Sequence, residues 1–213
     1  MQQSKESKLL TYSILVMFIP YIISIVTKET QSAWCVHLLN DNHTTFFDYF
    51  FKYTTNLGDG LALIPFLFIL LWLRKEYWPV LVMASALHGI FVYVGKEIIL
   101  KGTEFALRPA GLHGEDAFTQ ILDVHIHLID TFPSGHSTTG FVIGAMFMLI
   151  MPNWKGFAIG MTYGWIVGIS RMYLAQHFLV DVSFGGISAF AIVWLCWFIC
   201  DKKGWLKLKP WEK

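Results

Sequence analysis

Long apolar stretches separated by short polar turns dominate this chain. They are centred on residues 9–27, 57–73, 78–100, 136–151, 155–172 and 182–200. Most of them approach the roughly 20 residues that an α-helix needs to cross a bilayer. The pattern therefore predicts an all-α fold, an integral membrane bundle of six transmembrane helices, with residues 1–213 forming one domain.

Two of the apolar stretches require comment. The second is the weakest, because Pro65 lies inside it and a Gly-Asp-Gly sequence at 58–60 precedes it. The first follows Lys5 and Lys8, as in a secretory signal peptide. Its apolar run is longer than that of a signal peptide, however, and no small-residue cleavage site follows. We interpret it as a helix that stays in the membrane.

Composition supports a membrane protein and excludes several functional classes. Charged residues make up 15% of the chain, against about 25% in soluble proteins, and the mean hydropathy is +0.52. A net charge of +1 without a basic stripe argues against a nucleic-acid partner. Cys196 and Cys200 lie one helical turn apart in an apolar run, and Cys35 has no evident partner, so a disulfide framework is not predicted.

The distribution of positive charge predicts how the bundle is oriented. Ten of the sixteen lysines and arginines lie on one side of it: Lys5, Lys8, Arg74, Lys75, Lys155, Lys202, Lys203, Lys207, Lys209 and Lys213. Positive residues concentrate on the cytoplasmic side of membrane proteins. Both termini should therefore be cytoplasmic. We expect a multi-pass protein of a cell membrane, the inner membrane if the source is a bacterium.

Residues suited to phosphate chemistry occur in three short motifs. These are Lys101 through Arg108-Pro109, then Pro133-Ser134-Gly135-His136, then Ser170-Arg171 followed by His177 and Asp181. All three fall at the ends of predicted helices on the outer side, which is periplasmic in a Gram-negative cell. Each motif alone is weak evidence, but the three in this order on one side of a bundle predict a single site.

The histidines and the aspartate suggest a reaction. Asp181 follows His177 by four residues, so on a helix both face the same way. A carboxylate in that position can hold the Nδ1 proton and leave Nε2 free as a nucleophile. A single histidine–aspartate pair with this spacing is more often a structural hydrogen bond than part of a catalytic site. His136, which opens an apolar helix, is placed to protonate a leaving oxygen and later to deprotonate water.

The remaining motif residues suit an anion. The positive charges of Lys101, Arg108 and Arg171 can offset the charge on the oxygens of a transferring phosphoryl group. Ser134 and Gly135 precede a helix, whose first amides are free to bind phosphate. Glu97 lies four residues before Lys101, and we expect it to hold that lysine rather than to take part in the transfer.

The three motifs resemble the signature of the type 2 phosphatidic acid phosphatase family, without departure at any motif position. The resemblance implies a membrane phosphatase that uses no metal or other cofactor and forms a phosphohistidine intermediate. It implies that His177 is the nucleophile, that Asp181 orients it, and that His136 is the general acid and then the base. The implied phosphate-binding residues are Lys101, Arg108, Ser134, Gly135 and Arg171.

Three other features have simpler interpretations. His125 and His127, with His113, Asp116 and Asp123 nearby, could form a metal site or contact a lipid head group. Glycine at every fourth position of the fifth segment, at 156, 160, 164 and 168, with Gly140 and Gly144 in the fourth, predicts close helix packing. The aromatic stretch 44–52 is either a helix lying in the membrane interface or a loop that caps the bundle.

Three functions are compatible with these observations. The first is hydrolysis of a terminal phosphate from a lipid phosphate or diphosphate that enters sideways from the bilayer at the outer face. Lipid A phosphate and undecaprenyl diphosphate are favoured over phosphatidylglycerophosphate and phosphatidic acid. The second is a lipid phosphotransferase with the same site. The third, a transporter of phosphate-bearing lipids, is disfavoured because no polar path crosses the predicted bundle.

Overall fold

The computed structural model describes residues 4–207, and these residues fold into helices. The α-helices, labelled in chain order, are α1 (Lys5–Val26), α2 (Glu29–Ser32), α3 (Trp34–Asn40), α4 (Thr45–Thr54), α5 (Leu63–Leu73), α6 (Trp78–Tyr93), α7 (Pro109–His113), α8 (Gly135–Ile150), α9 (Trp154–Tyr173) and α10 (Leu179–Lys202). An isolated β-bridge joins Leu107, just before α7, to Ile129, in the connection between α7 and α8. The predicted all-α fold is confirmed for this part of the chain.

The helices match five of the six predicted apolar segments closely. By length and composition, α1, the stretch Lys75–Ile99 and α10 can each cross a membrane, while α8 is a shorter apolar helix of 16 residues and α9 has 20. A fourth crossing arises within residues 4–207 if the bent pair Thr45–Gly58 and Gly60–Leu73 is counted as one span. The count of six spans stays a prediction.

The second predicted segment, 57–73, is not a continuous helix. The pair of helical stretches that meets at residue 59 is bent by 67°. Asp59 is extended, and its side chain accepts a hydrogen bond from the amide of Leu61 at 2.8 Å, which starts the next helical turn. A Cβ on Gly58 would lie 2.6 Å from the carbonyl oxygen of His136, so glycine lets this bend rest directly on α8.

The three last long helices form the centre of the bundle. α8 packs along α9, and α10 lies against α8, α1 and α6. Phe141 and Phe190 are fully buried between them. By contrast, Ile19 on α1, Trp72 on α5 and Ile90 on α6 expose more than half of their surface, at 59%, 84% and 59%. Large apolar side chains exposed on outer helices are expected where those helices face lipid.

Glycines bring α8 and α9 into direct backbone contact. A Cβ on Gly144 would overlap the carbonyl oxygen of Gly160, and a Cβ on Gly160 would overlap that of Gly144. One turn further along α9, Gly164 lies under the ring of Phe141. The predicted packing role of the glycine stripe is confirmed. Since α8 begins and α9 ends at the predicted site, this contact fixes the distance between the two motifs.

The aromatic stretch near residue 48 forms a helix, α4. The aromatic rings of Phe46, Tyr49 and Tyr53 on this helix are exposed. Asp48 instead faces inward and accepts a hydrogen bond from the hydroxyl of Tyr173 at 2.6 Å. The helical alternative is therefore confirmed. Its position in the membrane interface stays a prediction, supported by the exposed aromatic face.

Substituting Gly160 should destabilise the protein, whereas the same change at Gly89 should not. In Gly160→Ala the new methyl group must push α8 and α9 apart, which typically costs about 1–3 kcal/mol. No atom lies within 4 Å of a Cβ on Gly89, and alanine in a helix is favoured over glycine by about 0.5–1 kcal/mol. Thermal unfolding of both variants in detergent measures this difference. A Gly160→Ala variant that melts with the wild type would contradict the backbone contact.

Candidate active site

Three helix ends meet at one end of the bundle and gather the sequence motifs there. α8 begins at Gly135, α9 ends at Tyr173, and α10 begins at Leu179 after a connection of only five residues. The amide of Ser134 donates to the carbonyl oxygen of Asp181 at 3.4 Å, which joins the starts of α8 and α10. The link 106–132 contacts this end through Arg108, which donates to the carbonyl oxygen of Gln176, and through Thr131, which donates to Asp181. The site is therefore built on helix termini held by the glycine packing.

His177 and Asp181 meet, and a third residue joins them. Both side chains are 1% exposed, and Nδ1 of His177 lies 3.5 Å from Oδ2 of Asp181. The hydroxyl of Thr131 donates to the same Oδ2 at 2.5 Å and lies 3.3 Å from Nδ1. The amide of Phe178 also donates to this oxygen at 2.8 Å. The carboxylate is thus fixed at the start of α10 by two donors besides the histidine.

This arrangement selects one tautomer of His177. A threonine hydroxyl has a single proton, and here it points to the carboxylate of Asp181, so the oxygen of Thr131 can only accept from His177. The proton of the neutral imidazole therefore belongs on Nδ1, and Nε2 carries the free lone pair. Burial, and then the guanidinium of Arg108, hold the pKa of His177 well below its usual range, so the ring is neutral at pH 7.

Arg108 is held by backbone carbonyls. Nε donates to the carbonyl oxygen of Ile129 at 2.6 Å, and Nη1 donates to the carbonyl and side-chain oxygens of Gln176 at 3.0 and 2.9 Å. Nη2 donates to the carbonyl oxygen of Asp130 at 3.3 Å. Burial lowers the pKa of Arg108, but a guanidinium stays charged in proteins. Arg108 thus provides a fixed positive charge, and one of the two hydrogens on its Nη2 has no hydrogen-bond acceptor among these contacts.

Arg171 has donor capacity that the protein does not use. The residue is 7% exposed, and Nη1 donates to the hydroxyl of Thr55 at 2.9 Å. Nε is buried and, within residues 4–207, has no hydrogen-bond acceptor. A buried donor without an acceptor is unfavourable by about 1–3 kcal/mol, and more when it is charged. This donor is therefore available to an anion.

The start of α8 contributes amides and a histidine. The side chain of Ser134 caps the helix, because its Oγ accepts a hydrogen bond from the amide of Ser137 at 3.4 Å. The hydroxyl groups of Ser134 and Ser137 also form a hydrogen bond with each other at 2.8 Å. The first intrahelical bond runs from the amide of Thr138 to the carbonyl of Ser134. The amides of Gly135 and His136 precede that bond and are free to bind an anion.

Lys101 is the one predicted phosphate ligand that the structure does not bring to the cluster. Its side chain is 70% exposed, and Nζ donates to Oε2 of Glu97 at 2.8 Å. The expected contact with Glu97 is therefore confirmed. The physical reason is the backbone: α6 continues as a π-helical turn, Val94–Ile99, and ends at Leu100, so Lys101 lies beyond the helix on the solvent side.

Three residues that interact at the site were not identified from the sequence. Lys96, in the π-helical turn, donates from Nζ to the carbonyl oxygen of Asp130 at 2.8 Å. A charged residue inside an apolar segment was the available signal for it. Thr131 and Gln176 gave no signal, because a threonine and a glutamine in polar connections have no distinguishing pattern.

Two cavities reach the cluster from different sides. One, of about 390 Å³, is lined by His136, Gly135, Lys96 and the bend at Gly58 and Gly60, among others. The other, of about 660 Å³, is mainly apolar and lies between the end of α1 and the link after α6, where it reaches Thr131 and Asp181. His136 thus faces the first cavity, and Thr131 and Asp181 face the second.

The alternative metal site has no ligand set in the described part of the chain. The rings of His125 and His127 lie perpendicular, with centroids 4.9 Å apart. His113 points elsewhere, with Nε2 2.8 Å from the carbonyl oxygen of Thr30, and Asp123 faces Lys52 at 3.8 Å. Between residues 4 and 207, no three histidine, cysteine or acidic side chains are close enough to bind one ion.

A buried carboxylate supports the start of α10. Glu29, the first residue of α2, is fully buried, and its Oε2 accepts from the amide of Leu179 at 3.2 Å. Oε1 has no partner among the described residues. Burial, followed by repulsion from Asp181, raises the pKa of Glu29 from 4.5 to about 8. Glu29 is therefore protonated at pH 7 and adds no negative charge beside Asp181.

Comparisons with known proteins confirm the family that the three motifs resemble. The family model described as the PAP2 superfamily matches residues 76–205, which include all three motifs. LpxE of Aquifex aeolicus is a similar solved structure, with 28% identity and a TM-score of 0.62 over 78% of this chain and 92% of LpxE. A transmembrane PAP2-type phosphatidylglycerolphosphate phosphatase of Bacillus subtilis shares the fold at 21% identity, with a TM-score of 0.61 over 91% and 96% of the two chains.

Glu29 should make the stability of the protein depend on pH. In the unfolded chain its carboxyl ionises near pH 4.5, while in the folded chain it keeps its proton up to about pH 8. Between these values the folded state binds the additional proton, so its stability should fall as the pH rises. Glu29→Gln cannot ionise, and its thermal unfolding midpoint should depend less on pH over this range. Glu104, which is exposed, provides the matched control Glu104→Gln. Parallel curves for Glu29→Gln and wild type would contradict the buried, protonated state.

Proposed function

The chain belongs to the PAP2 superfamily and is a membrane lipid phosphatase, and from this premise we propose that it hydrolyses the terminal phosphate of a lipid phosphate or diphosphate through a phosphohistidine on His177. His136 and Asp181 complete the proposed catalytic set. Arg108, Arg171, Ser134 and Gly135 bind the phosphate, and no metal is required. Lys101 stays in the proposed phosphate-binding set on its motif position alone, because its side chain is exposed and pairs with Glu97.

One observation carries the proposal: a neutral, oriented imidazole lies beside two buried guanidinium groups, one of which has a donor without an acceptor among residues 4–207. The contacts of Thr131 and Asp181 direct the lone pair of His177 Nε2 away from the carboxylate. The charges of Arg108 and Arg171 both act on His177, and Nε of Arg171 has no acceptor in the described structure. Fixed cations of this kind stabilise the charge that develops on a transferring phosphoryl group.

The first chemical step forms the phosphohistidine. Nε2 of His177 attacks phosphorus in line with the bond to the lipid oxygen, and that P–O bond breaks as the N–P bond forms. His136 gives its proton to the departing lipid oxygen, so the lipid leaves as a neutral alcohol or as a lipid phosphate. Asp181 and Thr131 stabilise the positive charge on the imidazole as it forms.

The second step releases phosphate. His136 takes a proton from water, and the water oxygen attacks phosphorus as the N–P bond to His177 breaks. The proton that His136 lost to the lipid is thereby restored, and Nε2 is free again. This step requires solvent at His136, which lines the more open cavity. The sum of the two steps is hydrolysis with no net change in the enzyme.

The substrate reaches the site from the membrane. The site lies at one end of a bundle whose outer helices expose apolar side chains, so a lipid can present its head group with its chains still in the bilayer. The distribution of lysines and arginines favours an outer or periplasmic position for this end of the bundle. Lipid A phosphate and undecaprenyl diphosphate are the favoured substrates, and phosphatidylglycerophosphate and phosphatidic acid are the alternatives.

Release of inorganic phosphate from defined lipids tests the function. The purified protein in detergent should release phosphate from at least one of the four lipids, and the activity should persist in EDTA because side-chain cations bind the phosphate. Complete loss in EDTA that a divalent ion restores would contradict the metal-independent mechanism. A phosphotransferase would instead move the phosphate to an added acceptor lipid, and a transporter would release none.

The roles of the three central residues can be separated by substitution. His177→Ala should abolish turnover, and His136→Ala should reduce kcat by about 10²- to 10⁴-fold, the usual contribution of general acid–base catalysis. Thr131→Val removes the hydroxyl at nearly constant shape and should lower kcat, while Thr131→Ser keeps the hydroxyl and is the matched control. Wild-type kcat in Thr131→Val would show that Asp181 and His177 need no bridging hydroxyl.

A further inference from the structure

A histidine that the mechanism does not use, His88, lines the same cavity as His136. This cavity of about 390 Å³ extends from Gly135 and His136 to His88 and Thr139. His88 belongs to α6, and 9% of its surface is exposed. The stretch that contains it, Lys75–Ile99, is long and apolar enough to cross a membrane. An ionisable side chain at such a depth usually has a function.

His88 and Thr139 form a hydrogen-bonded pair between α6 and α8. Nε2 of His88 lies 3.1 Å from Oγ1 of Thr139, and this is the hydrogen bond that the two side chains make within residues 4–207. Nδ1 of His88 has no partner there. The carbonyl oxygens of Ala84 and Ser85, about one turn earlier on α6, lie near Nδ1 but outside hydrogen-bond geometry.

The pair keeps one unused donor in either tautomer of His88. If Nε2 carries the proton, it donates to Thr139, and the proton of the threonine hydroxyl is left without an acceptor. If Nδ1 carries the proton, the threonine donates to Nε2, and the N–H of Nδ1 is left. A buried donor without an acceptor is unfavourable. A ligand that brings an oxygen acceptor into the cavity would therefore be bound more tightly.

The pair lies one helical turn behind the proposed acid. Thr139 follows His136 by three residues on α8, so it lies about 4.5 Å further along the same face of the helix. His136 is the proposed proton donor to the departing lipid oxygen, and the group attached to that oxygen would extend along the cavity toward His88. The cavity is open there, since Gly60 and Gly89 line it and no atom lies within 4 Å of a Cβ on either.

We propose that His88 and Thr139 form a specificity subsite, which donates a hydrogen bond to an uncharged oxygen of the lipid group that bears the phosphate. The proposal rests on the proposed phosphatase function. A sugar or glycerol lipid carries such an oxygen, in a hydroxyl, amide or ester group, close to its phosphate ester.

An isoprenoid lipid does not fit this subsite. In undecaprenyl diphosphate the group behind the departing oxygen is a charged phosphate, and beyond it there is only hydrocarbon. A neutral donor pair in an apolar bundle offsets little of the cost of burying a charge. Among the four candidate lipids, the subsite therefore favours those with a sugar or glycerol framework over undecaprenyl diphosphate.

The test compares substitutions at the pair on lipids of both kinds. Thr139→Val removes the hydroxyl at nearly constant shape, and His88→Leu removes both ring nitrogens. The matched control is Ser188→Ala, because Ser188 is equally buried, its hydroxyl bonds to carbonyls of its own helix, and it does not line the cavity. Release of phosphate from lipid A phosphate, phosphatidic acid and undecaprenyl diphosphate gives kcat/KM for each lipid.

The expected result is a loss that depends on the lipid. In Thr139→Val and His88→Leu, kcat/KM should fall about 10-fold on lipid A phosphate or phosphatidic acid, as for the loss of one buried hydrogen bond, and should stay at the wild-type value on undecaprenyl diphosphate. The lipid with the larger loss shows whether a sugar or a glycerol group occupies the subsite. Thr139→Ser should keep the wild-type preference. An equal loss on every lipid would show a structural role and overturn the proposal, as would no loss on either of the first two.

The ring nitrogens of His88 provide a readout that does not depend on turnover. In His177→Ala protein with ¹⁵N-labelled histidine rings, the His88 signals can be identified by their loss in His88→Gln, which keeps a hydrogen-bonding side chain. Lipid A phosphate or phosphatidic acid should shift the signals of His88 and His136, whereas undecaprenyl diphosphate should shift those of His136 alone. Unchanged His88 signals with all three lipids, or equal shifts with all three, would overturn the proposal. If these shifts occur but the wild type releases phosphate from no lipid, the proposed function fails and the subsite stands.

Discussion

Positive charge buried at one end of an apolar bundle is the constraint on which this structure depends. Arg108 and Arg171 are each less than 10% exposed, and Asp181 is the carboxylate with the largest electrostatic effect on Arg108. Isolated buried charges are strongly unfavourable, so the protein must compensate them with dipoles. The carbonyl oxygens of Ile129, Asp130 and Gln176 serve this purpose for Arg108. The link before α8 thus supplies two of the three carbonyls that stabilise the charge of Arg108.

This compensation is incomplete at Arg171, because the described part of the protein does not provide an acceptor for every donor of its guanidinium. Its Nε has no partner among the described residues, whereas its Nη1 is bound by Thr55. A donor without a protein acceptor gains a hydrogen bond when an anion binds, which favours binding. The backbone contact between Gly144 and Gly160 holds α8 and α9 together close to this site.

The sequence predicts the helices and most of the site because both depend on local patterns. Apolar length locates α1, α8, α9 and α10 within a few residues, and the spacing of His177 and Asp181 on one helix face predicts their contact. The bend at Gly58 was not predicted as such, since it arises from contact with α8 some eighty residues later. Whether a single glycine ends a membrane-spanning helix depends on what packs against it in the fold. The residues next to it in the sequence do not show this.

Lys101 shows the limit of motif spacing most clearly. Counting residues back from Arg108 identifies Lys101, but the direction of a side chain depends on whether the backbone is still helical at that point. Because α6 changes to a π-helical turn and ends at Leu100, the direction of each following side chain changes. Thr131 escapes prediction for a related reason: its partners His177 and Asp181 are about fifty residues away, and no local period links them.

The proposed mechanism also imposes an order on the reaction. In-line attack by His177 would place the departing lipid oxygen and the later water oxygen on the same side of phosphorus, opposite to His177. His136 would serve both oxygens, and it lines the cavity of about 390 Å³ rather than the one of about 660 Å³. The lipid would then have to leave before water is activated, since both use the same space. The burial of the two histidines matches their proposed roles: His177, the proposed nucleophile, is fully buried, whereas His136, the proposed acid and base, is only half-buried and can exchange ligands.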